Sequence, residues 1–140
     1  MRAPSRDDIQ SLGRLYFESY ERGKGAASIE AAVTDVEASF AGGYGELWPQ
    51  ASPVVVHDGG LVAAVMAVRR APWEDTPNCP FIVEVFVAAG HRRRGLARMG
   101  LRRSFEVIAE ADEEAVSLRV DEDNTAAREL YRSLGFIRWD

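Results

Sequence analysis

Three consecutive arginines followed by a glycine, Arg92-Arg93-Arg94-Gly95, form the segment whose residue types best suit ligand chemistry. The segment follows an alternating apolar run and precedes a helical pattern, so its main-chain N–H groups would lie at the positive end of a helix dipole. Arginine adds positive charge and forked donors that suit phosphate. The stretch from His91 to Ala97 therefore predicts a loop that binds a pyrophosphate.

The charge distribution supports an anionic ligand at this loop. The chain has a formal net charge of −5, yet six arginines and no acidic residue lie between positions 92 and 103. The overall acidity argues against general nucleic-acid binding, which needs a basic surface. For Arg102 and Arg103, a solvated helix face explains the charge at least as well.

Length and composition predict one globular domain over residues 1–140. The hydrophobic content of 46% is ordinary for such a domain. No apolar run approaches the roughly 18 residues of a membrane helix, and the first residues do not resemble a secretory signal. A single cysteine, Cys79, excludes an internal disulfide and leaves no cysteine cluster for zinc. We expect a cytoplasmic protein with no metal and no membrane partner.

Hydrophobic periodicity predicts two helices, a hairpin, and then strand, helix, strand, helix and strand. The predicted helices cover 9–20, 28–40, 94–110 and 124–134, and the predicted strands cover 54–57, 61–68, 81–87, 116–120 and the residues from 136 onward. Gly23 and Gly25 are expected to end the first helix. In the strand at 81–87, alternation places Phe81, Val83, Val85 and Val87 on one face and Ile82, Glu84 and Phe86 on the other. This order describes one mixed α/β domain.

Three features together resemble the GCN5-related N-acetyltransferase (GNAT) family. Residues 81–87 resemble the central strand that leads into the cofactor loop of that family. Arg92-x-x-Gly95-x-Ala97 fits its Arg/Gln-x-x-Gly-x-Gly/Ala signature, and Asn124-x-x-Ala127-x-x-x-Tyr131-x-x-x-Gly135-Phe136 resembles its final helix and strand. The resemblance implies a mixed central sheet, mostly antiparallel with a parallel splayed pair, flanked by about four helices and short at both ends.

The resemblance also implies acetyl-CoA as co-substrate. The pantetheine arm would pair with the main chain of residues 85–87, as a peptide adds a strand to a sheet. The pyrophosphate would lie on the N–H groups of residues 93–98, where a side chain at Gly95 would obstruct its approach. The implied cofactor-binding residues are Val85, Phe86, Val87, Arg92, Arg93, Arg94, Gly95, Leu96, Ala97, Arg98, Asn124, Arg128 and Tyr131.

For the reaction, the resemblance implies direct transfer of the acetyl group to a primary amine of a small molecule or peptide in a ternary complex. Tyr131 would be the general acid, and the N–H of Val87 would donate to the oxyanion. Glu84 is the best candidate for the general base, since an ammonium group must lose a proton before it attacks. The residues alone leave two alternatives open: Tyr131 as a core tyrosine, and Glu84 as a member of a structural ion pair with an arginine.

The acceptor side of the chain is less informative. Glu46, Glu74, Asp75 and Glu84 would favour a cationic amine if they converge, and residues 42–50, with Tyr44, resemble the family's variable acceptor region. Relatives usually continue beyond the position of Asp140 into another strand, and Met1–Ala3 offers only a stub of an N-terminal strand. Exposed sheet edges then favour a homodimer. The alternative function is a non-catalytic acyl-CoA-binding or sensory domain.

Overall fold

The computed structural model describes residues 1–20 and 25–138, over which the chain forms four α-helices and one four-stranded sheet. The helices are α1 (Ile9–Ser19), α2 (Ile29–Phe40), α3 (Leu96–Glu110) and α4 (Thr125–Ser133). The strands are β1 (Val54–His57), β2 (Gly60–Val68), β3 (Phe81–Val87) and β4 (Ser117–Leu118). The predicted order of elements is confirmed up to α4. Gly23, which was expected to end α1, lies outside the described residues.

The sheet is mixed, with the strand order β1-β2-β3-β4. The first three strands are antiparallel to their neighbours, whereas β4 is parallel to β3. Asp58 and Gly59 have φ values of 51° and 79°, and positive φ at both central residues is what a tight hairpin between twisted strands requires. The Asp-Gly hairpin and the predicted mixed sheet are confirmed.

Helices cover both faces of the sheet. Met66 of β2 belongs to a buried cluster with Leu12 of α1 and Val36 of α2. Its neighbour in sequence, Val65, belongs to a second cluster with Leu101 of α3. Because successive strand residues point to opposite faces, α1 and α2 pack on one face and α3 on the other.

A β-bulge in β3 overturns part of the predicted alternation. The register between β2 and β3 shifts by one residue at Val83, which has no partner in β2. Ile82 therefore packs in the α3-side cluster together with Val85. The prediction that Ile82 shares a face with Glu84 and Phe86 is wrong. The extra residue at the bulge moves each preceding side chain of the strand to the opposite face of the sheet.

The predicted final strand is also wrong over the residues that the structure describes. Residues 136–138 are irregular, and Ile137 is 90% exposed. β4 is shorter than expected, at two residues. A strand needs a paired neighbour, and within 1–20 and 25–138 no strand lies beyond β4. Trp139, the last residue of that prediction, lies outside the described residues.

The N-terminal stub predicted from Met1–Ala3 is present. Arg2 exchanges two main-chain hydrogen bonds with Val54 of β1, at 2.8 and 3.1 Å. The Arg2 side chain donates to both oxygens of Asp8, which holds the pKa of that carboxyl below its ordinary value. No helix in the described part of the chain is long and apolar enough to cross a membrane. The predicted homodimer stays a prediction.

Gly13 allows α1 to pack closely against α2. A Cβ atom at this position would lie 2.8 Å from the Cα atom of Val33, and backbone cannot yield as the end of a side chain can. We expect Gly13→Ala to lower the free energy of unfolding by about 1–3 kcal/mol, as overpacking typically does. Urea denaturation measures this. Gly90→Ala is the matched control, since its Cβ would meet nothing within 4 Å. Equal losses in the two variants would contradict the prediction.

Candidate active site

The turn before α3 has the backbone of an anion-binding loop. Arg93 and Gly95 have φ values of 64° and 74°, in the left-handed region that costs an L-residue about 1–2 kcal/mol. α3 begins without a side-chain cap, whereas Ser28 and Asn124 accept hydrogen bonds from the first turns of α2 and α4. The first-turn N–H groups of α3 therefore have no side-chain acceptor. A Cβ at Gly95 would have open space around it. These features fit the predicted pyrophosphate site.

The arginines around this turn have different roles. The Arg92 guanidinium donates to the carbonyl of Ser19, the last residue of α1, and so caps that helix. Arg98 donates to the Ser133 hydroxyl at 2.9 Å and joins α3 to α4. Arg93 and Arg94 are exposed and have no hydrogen-bond or ion-pair partner among the described residues. Their two guanidinium groups are therefore available to an anion on the loop.

The parallel pair β3–β4 separates soon after it begins. The strands pair only at Phe81 with Ser117 and at Ile82 with Leu118. Beyond Ile82, the edge of β3 that faces away from β2 has no strand partner among the described residues. This is the splayed pair that the family resemblance implied.

The hydrogen-bond pattern of β3 shows which residues face this open edge. In an antiparallel pair, alternate residues direct their N–H and C=O groups to the same neighbour. The N–H of Ala88 donates to the carbonyl of Val62 at 2.8 Å, so Phe86 also bonds to β2. Val85 and Val87 consequently present their main-chain groups to the open edge, whereas the main chain of Phe86 does not.

Tyr131 on α4 is half-buried. Its ring packs edge-on against Phe136, with centroids 5.8 Å apart. Burial, with the negative charge of Glu84, raises the pKa of Tyr131 to about 12, so its hydroxyl stays protonated and can donate. At the start of the helix, Asn124 accepts from the N–H of Ala127 at 3.2 Å, and Arg128 donates to a carbonyl of the preceding loop. The ring of Tyr131 therefore packs against its neighbours, and its protonated hydroxyl lies near the sheet, where it can donate a hydrogen bond or a proton.

Glu84 projects from β3 on the side of α1. The hydroxyl of Tyr20 donates to its Oε2 at 2.7 Å. Burial raises the pKa of Glu84 to about 7, an effect that the Tyr20 hydrogen bond opposes and the charge of Asp35 reinforces. No arginine among the described residues pairs with Glu84. The alternative of a structural ion pair with an arginine has no support within that part of the chain.

Asp35 of α2 forms a second acidic centre on the same side of the sheet. The hydroxyl of Tyr16 donates to its Oδ2 at 3.4 Å, and the hydroxyl of Tyr44 to its Oδ1 at 3.5 Å. We call Tyr16, Tyr20, Asp35, Tyr44 and Glu84 the tyrosine–carboxylate cluster. It joins two carboxylates to three neutral hydroxyl groups, since burial raises the pKa of Tyr16 to about 12 and those of Tyr20 and Tyr44 also rise.

Four acidic residues, Glu46, Glu74, Asp75 and Glu84, were expected to favour a cationic amine if they converge, but the structure does not bring Glu46 and Asp75 to Glu84. Glu46 pairs with Arg69 at 3.7 Å, and Asp75 pairs with Arg119 at 2.6 Å. Within the described ranges neither has a hydrogen bond or ion pair with Glu84, so Glu84 is the member of that set that belongs to the tyrosine–carboxylate cluster. No group of three or more histidine, cysteine, aspartate or glutamate side chains in the described ranges is arranged to hold a metal.

Sequence reasoning missed Asp35, Tyr16 and Tyr20 as site residues. A signal was present: Tyr16 and Tyr20 are four residues apart on α1, so they lie on one helix face, and both are polar at their tips. The same spacing is typical of the apolar stripe of a helix, so the pattern alone favours core packing for both residues. Nothing in the sequence placed that face over Glu84.

The fold is that of acyl-group transferases of known structure. The aminoglycoside antibiotic 6'-N-acetyltransferase AAC(6')-IG from Acinetobacter haemolyticus matches with a TM-score of 0.73 and 19% identity, over 99% of this chain and 91% of that chain. The aminoglycoside N-acetyltransferase AAC(6')-Iy, solved in complex with CoA, matches with a TM-score of 0.74 and 18% identity, over 99% and 88%. At these identities the likeness establishes the fold.

The sequence establishes the family. The pattern of the acetyltransferase (GNAT) family matches residues 11–136, and the chain belongs to this family. The N-alpha-acetyltransferase MAK3 of Arabidopsis thaliana is 30% identical over 95 residues, which are 66% of this chain and 47% of that protein. The chain thus spans about half the length of this curated relative.

Proposed function

We propose that this protein is an acetyl-CoA-dependent N-acetyltransferase that acts on a primary amine of a small molecule or peptide by direct transfer in a ternary complex. One observation carries the proposal: the open edge of β3 is followed, after the loop of residues 88–95, by the start of α3, which has no side-chain cap. A ligand with an amide-bearing arm and a pyrophosphate needs these two features in this order. The family membership and the CoA complex of a structural neighbour support the same ligand.

Each part of the co-substrate has a fitting partner. The main-chain groups of Val85 and the carbonyl of Val87 would pair with the amides of the arm, which leaves the N–H of Val87 for the thioester oxygen. The N–H groups of residues 93–98 would hold the pyrophosphate, assisted by the unpaired guanidinium groups of Arg93 and Arg94. Asn124, Arg128 and Tyr131 on the α4 side complete the proposed binding site.

In the proposed reaction, the bound thioester supplies an activated acetyl group, and the residues of the chain move protons and stabilise charge. Glu84 accepts a proton from the ammonium form of the acceptor, and the neutral nitrogen attacks the carbonyl carbon. The N–H of Val87 donates to the oxygen as negative charge develops there. The carbon–sulfur bond then breaks, and the hydroxyl of Tyr131 donates a proton to the departing sulfur. The second proton, which the nitrogen loses as the neutral amide forms, returns to the Tyr131 oxygen, and Glu84 releases its proton to solvent.

Thiol release in an amine panel, with wild type and Tyr131→Phe compared, tests the proposal. We expect acetyl-CoA to raise the Tm, because a ligand of the folded state stabilises it. Tyr131→Phe keeps the ring contact with Phe136, and we expect it to lower kcat about 10- to 100-fold. This is the low end for general acid catalysis, since a thiolate whose thiol has a pKa of about 8.5 leaves readily.

Two results would contradict parts of this proposal. If Tyr131→Phe turned over an amine as fast as wild type, Tyr131 would not be the general acid. Tight binding of acetyl-CoA without turnover of any amine would instead favour the non-catalytic acyl-CoA-binding domain.

A further inference from the structure

We propose that Asp35 binds a second cationic group of the acceptor, so that the preferred acceptors carry two basic nitrogen atoms. This inference rests on the proposed function, because it concerns the acceptor of that reaction. The reacting nitrogen would lie at Glu84, and the other nitrogen would stay charged and contact Asp35.

The geometry around Asp35 suits a bound cation. Its carboxylate is partly buried on α2, between Tyr16 of α1 and Tyr44 of the following loop. The two hydroxyl contacts, at 3.4 and 3.5 Å, are long and occupy one site on each oxygen. A carboxylate offers about four acceptor sites, so room remains for the N–H donors of an ammonium group. The hydroxyls orient the carboxylate and leave its charge in place.

The pairing of the other carboxylates makes Asp35 unusual. Within residues 1–20 and 25–138, four carboxylates are buried or partly buried: Asp8, Asp35, Glu84 and Glu113. Asp8 has Arg2 at 2.8 Å, and Glu113 has Arg70 at 2.9 Å. Asp35 and Glu84 have no cationic partner in the same ranges. A partly buried carboxylate without a counter-ion is costly, so the two unpaired ones mark where an external cation fits best.

The two carboxylates without a cationic partner are linked through the tyrosines of α1. Tyr16 donates to Asp35, Tyr20 donates to Glu84, and the two tyrosine rings are edge-on with centroids 5.5 Å apart. The negative charge of Asp35 also contributes to the raised pKa of Glu84. Aromatic rings line the same region, with Tyr16 stacked on Phe86 at 5.0 Å and Tyr20 edge-on to Tyr16. Aromatic rings thus lie beside both carboxylates, and aromatic rings attract ammonium groups.

The test compares diamines with monoamines of equal chain length. Putrescine and cadaverine carry two amino groups, whereas butylamine and pentylamine carry one. We expect wild type to show a kcat/KM for the diamines at least about tenfold above that for the monoamines, since a hydrogen bond to a charged group contributes about 1.5–3 kcal/mol. Asp35→Asn should raise the KM for the diamines about tenfold with little change in kcat. The KM for the monoamines should stay within about twofold.

The control variant is Glu37→Gln, which removes one negative charge from the same helix. Glu37 is exposed and lies near Arg6, away from the tyrosine–carboxylate cluster. It should leave the preference for diamines unchanged. A loss of preference in both variants would mean that only net charge matters and would overturn the inference.

A binding measurement separates this inference from the proposed function. Calorimetric titration of putrescine into the CoA-loaded protein reports acceptor binding without turnover. Binding that Asp35→Asn weakens, with no turnover of any amine, would support the cation site at Asp35 and overturn the enzymatic proposal. Turnover with equal kcat/KM for diamines and monoamines would overturn the inference, whereas the proposed N-acetyltransferase function would stand. Absence of both binding and turnover of diamines would overturn the inference alone if another amine is acetylated, and both proposals if no amine is.

Discussion

Glu84→Gln is expected to lower kcat/KM for a primary amine about 100- to 10,000-fold at a pH above about 7, the usual loss when a general base is removed. The substitution keeps the size of the side chain and leaves an oxygen that can still accept the hydrogen bond from Tyr20. What it removes is the group that we propose takes the proton from the ammonium form of the acceptor. Thiol-release assays on the two proteins measure the effect.

The pH profile distinguishes a base from a residue that only packs. Since burial raises the pKa of Glu84 to about 7, wild type should gain kcat/KM with pH up to about 7 and then level off while the acceptor is still an ammonium ion. The pH profile of Glu84→Gln should have no bend near pH 7, and its kcat/KM should rise until the amine itself loses its proton near a pH of about 10. A bend that persisted in Glu84→Gln would contradict the assignment.

Tyr20→Phe provides a graded version of the same test. The Tyr20 hydroxyl donates to the ionised carboxylate and so lowers the pKa of Glu84. Removing that donor should raise the pKa and move the bend in the profile to higher pH, with the plateau retained. A shift to lower pH would show that the hydrogen bond acts in the opposite sense.

Stability provides the control for folding in Glu84→Gln. The pKa of Glu84 is about 7 in the folded protein against an ordinary 4.5, so the folded state holds the extra proton between these values. Stability contributed by this group is therefore lost as the pH rises through that window. Above pH 7, Glu84→Gln should be as stable as wild type or more stable, by at most about 3 kcal/mol. Lower stability would indicate a structural role for the carboxylate.

Local patterns were sufficient to predict most elements of this fold. The helices α1, α2 and α4 follow from apolar spacing, and the hairpin follows from Asp58-Gly59 between two apolar runs. Each of these signals acts within a few residues of the chain, so no knowledge of the tertiary structure was needed.

The errors arose where a distant partner decides the structure. The bulge at Val83 depends on how β2 and β3 pair, and pairing cannot be read from the alternation of one strand. The strand expected from Phe136 had suitable residues but has no described neighbour. Sequence periodicity indicates which secondary structure a segment can form, but it does not show which other segments will pack or pair with it.

The candidate site likewise has one part that local sequence predicts and another that depends on packing between distant elements. The loop at Gly95 was predicted because its motif is contiguous, whereas Asp35 joins Glu84 through the packing of α2 against α1 and of α1 against the sheet. Of the acidic residues expected to favour a cationic amine if they converge, Glu46 and Asp75 instead have arginine partners. Electrostatics at an acceptor site depends on contacts between elements, so it was the least predictable part.

Gly95→Leu is expected to weaken the binding of CoA about 10- to 100-fold. Gly95 has a φ of 74° at the start of α3, and the space around a Cβ there is open. A leucine side chain would occupy the approach to the first-turn N–H groups, and the loss of one hydrogen bond to a charged group corresponds to about 1.5–3 kcal/mol. Calorimetric titration with CoA measures the change in Kd.

Gly59→Leu separates this loss from backbone strain. Gly59 lies in the β1–β2 turn, and with a φ of 79° and no atom within 4 Å of its Cβ position it matches Gly95 in conformation and surroundings. A left-handed leucine should lower the free energy of unfolding by about 1–2 kcal/mol in either variant. Only the variant at Gly95 should lose affinity for CoA, because only there do N–H groups without side-chain acceptors lie beside the new side chain. Equal Kd values in the two variants would mean that the start of α3 does not bind the pyrophosphate.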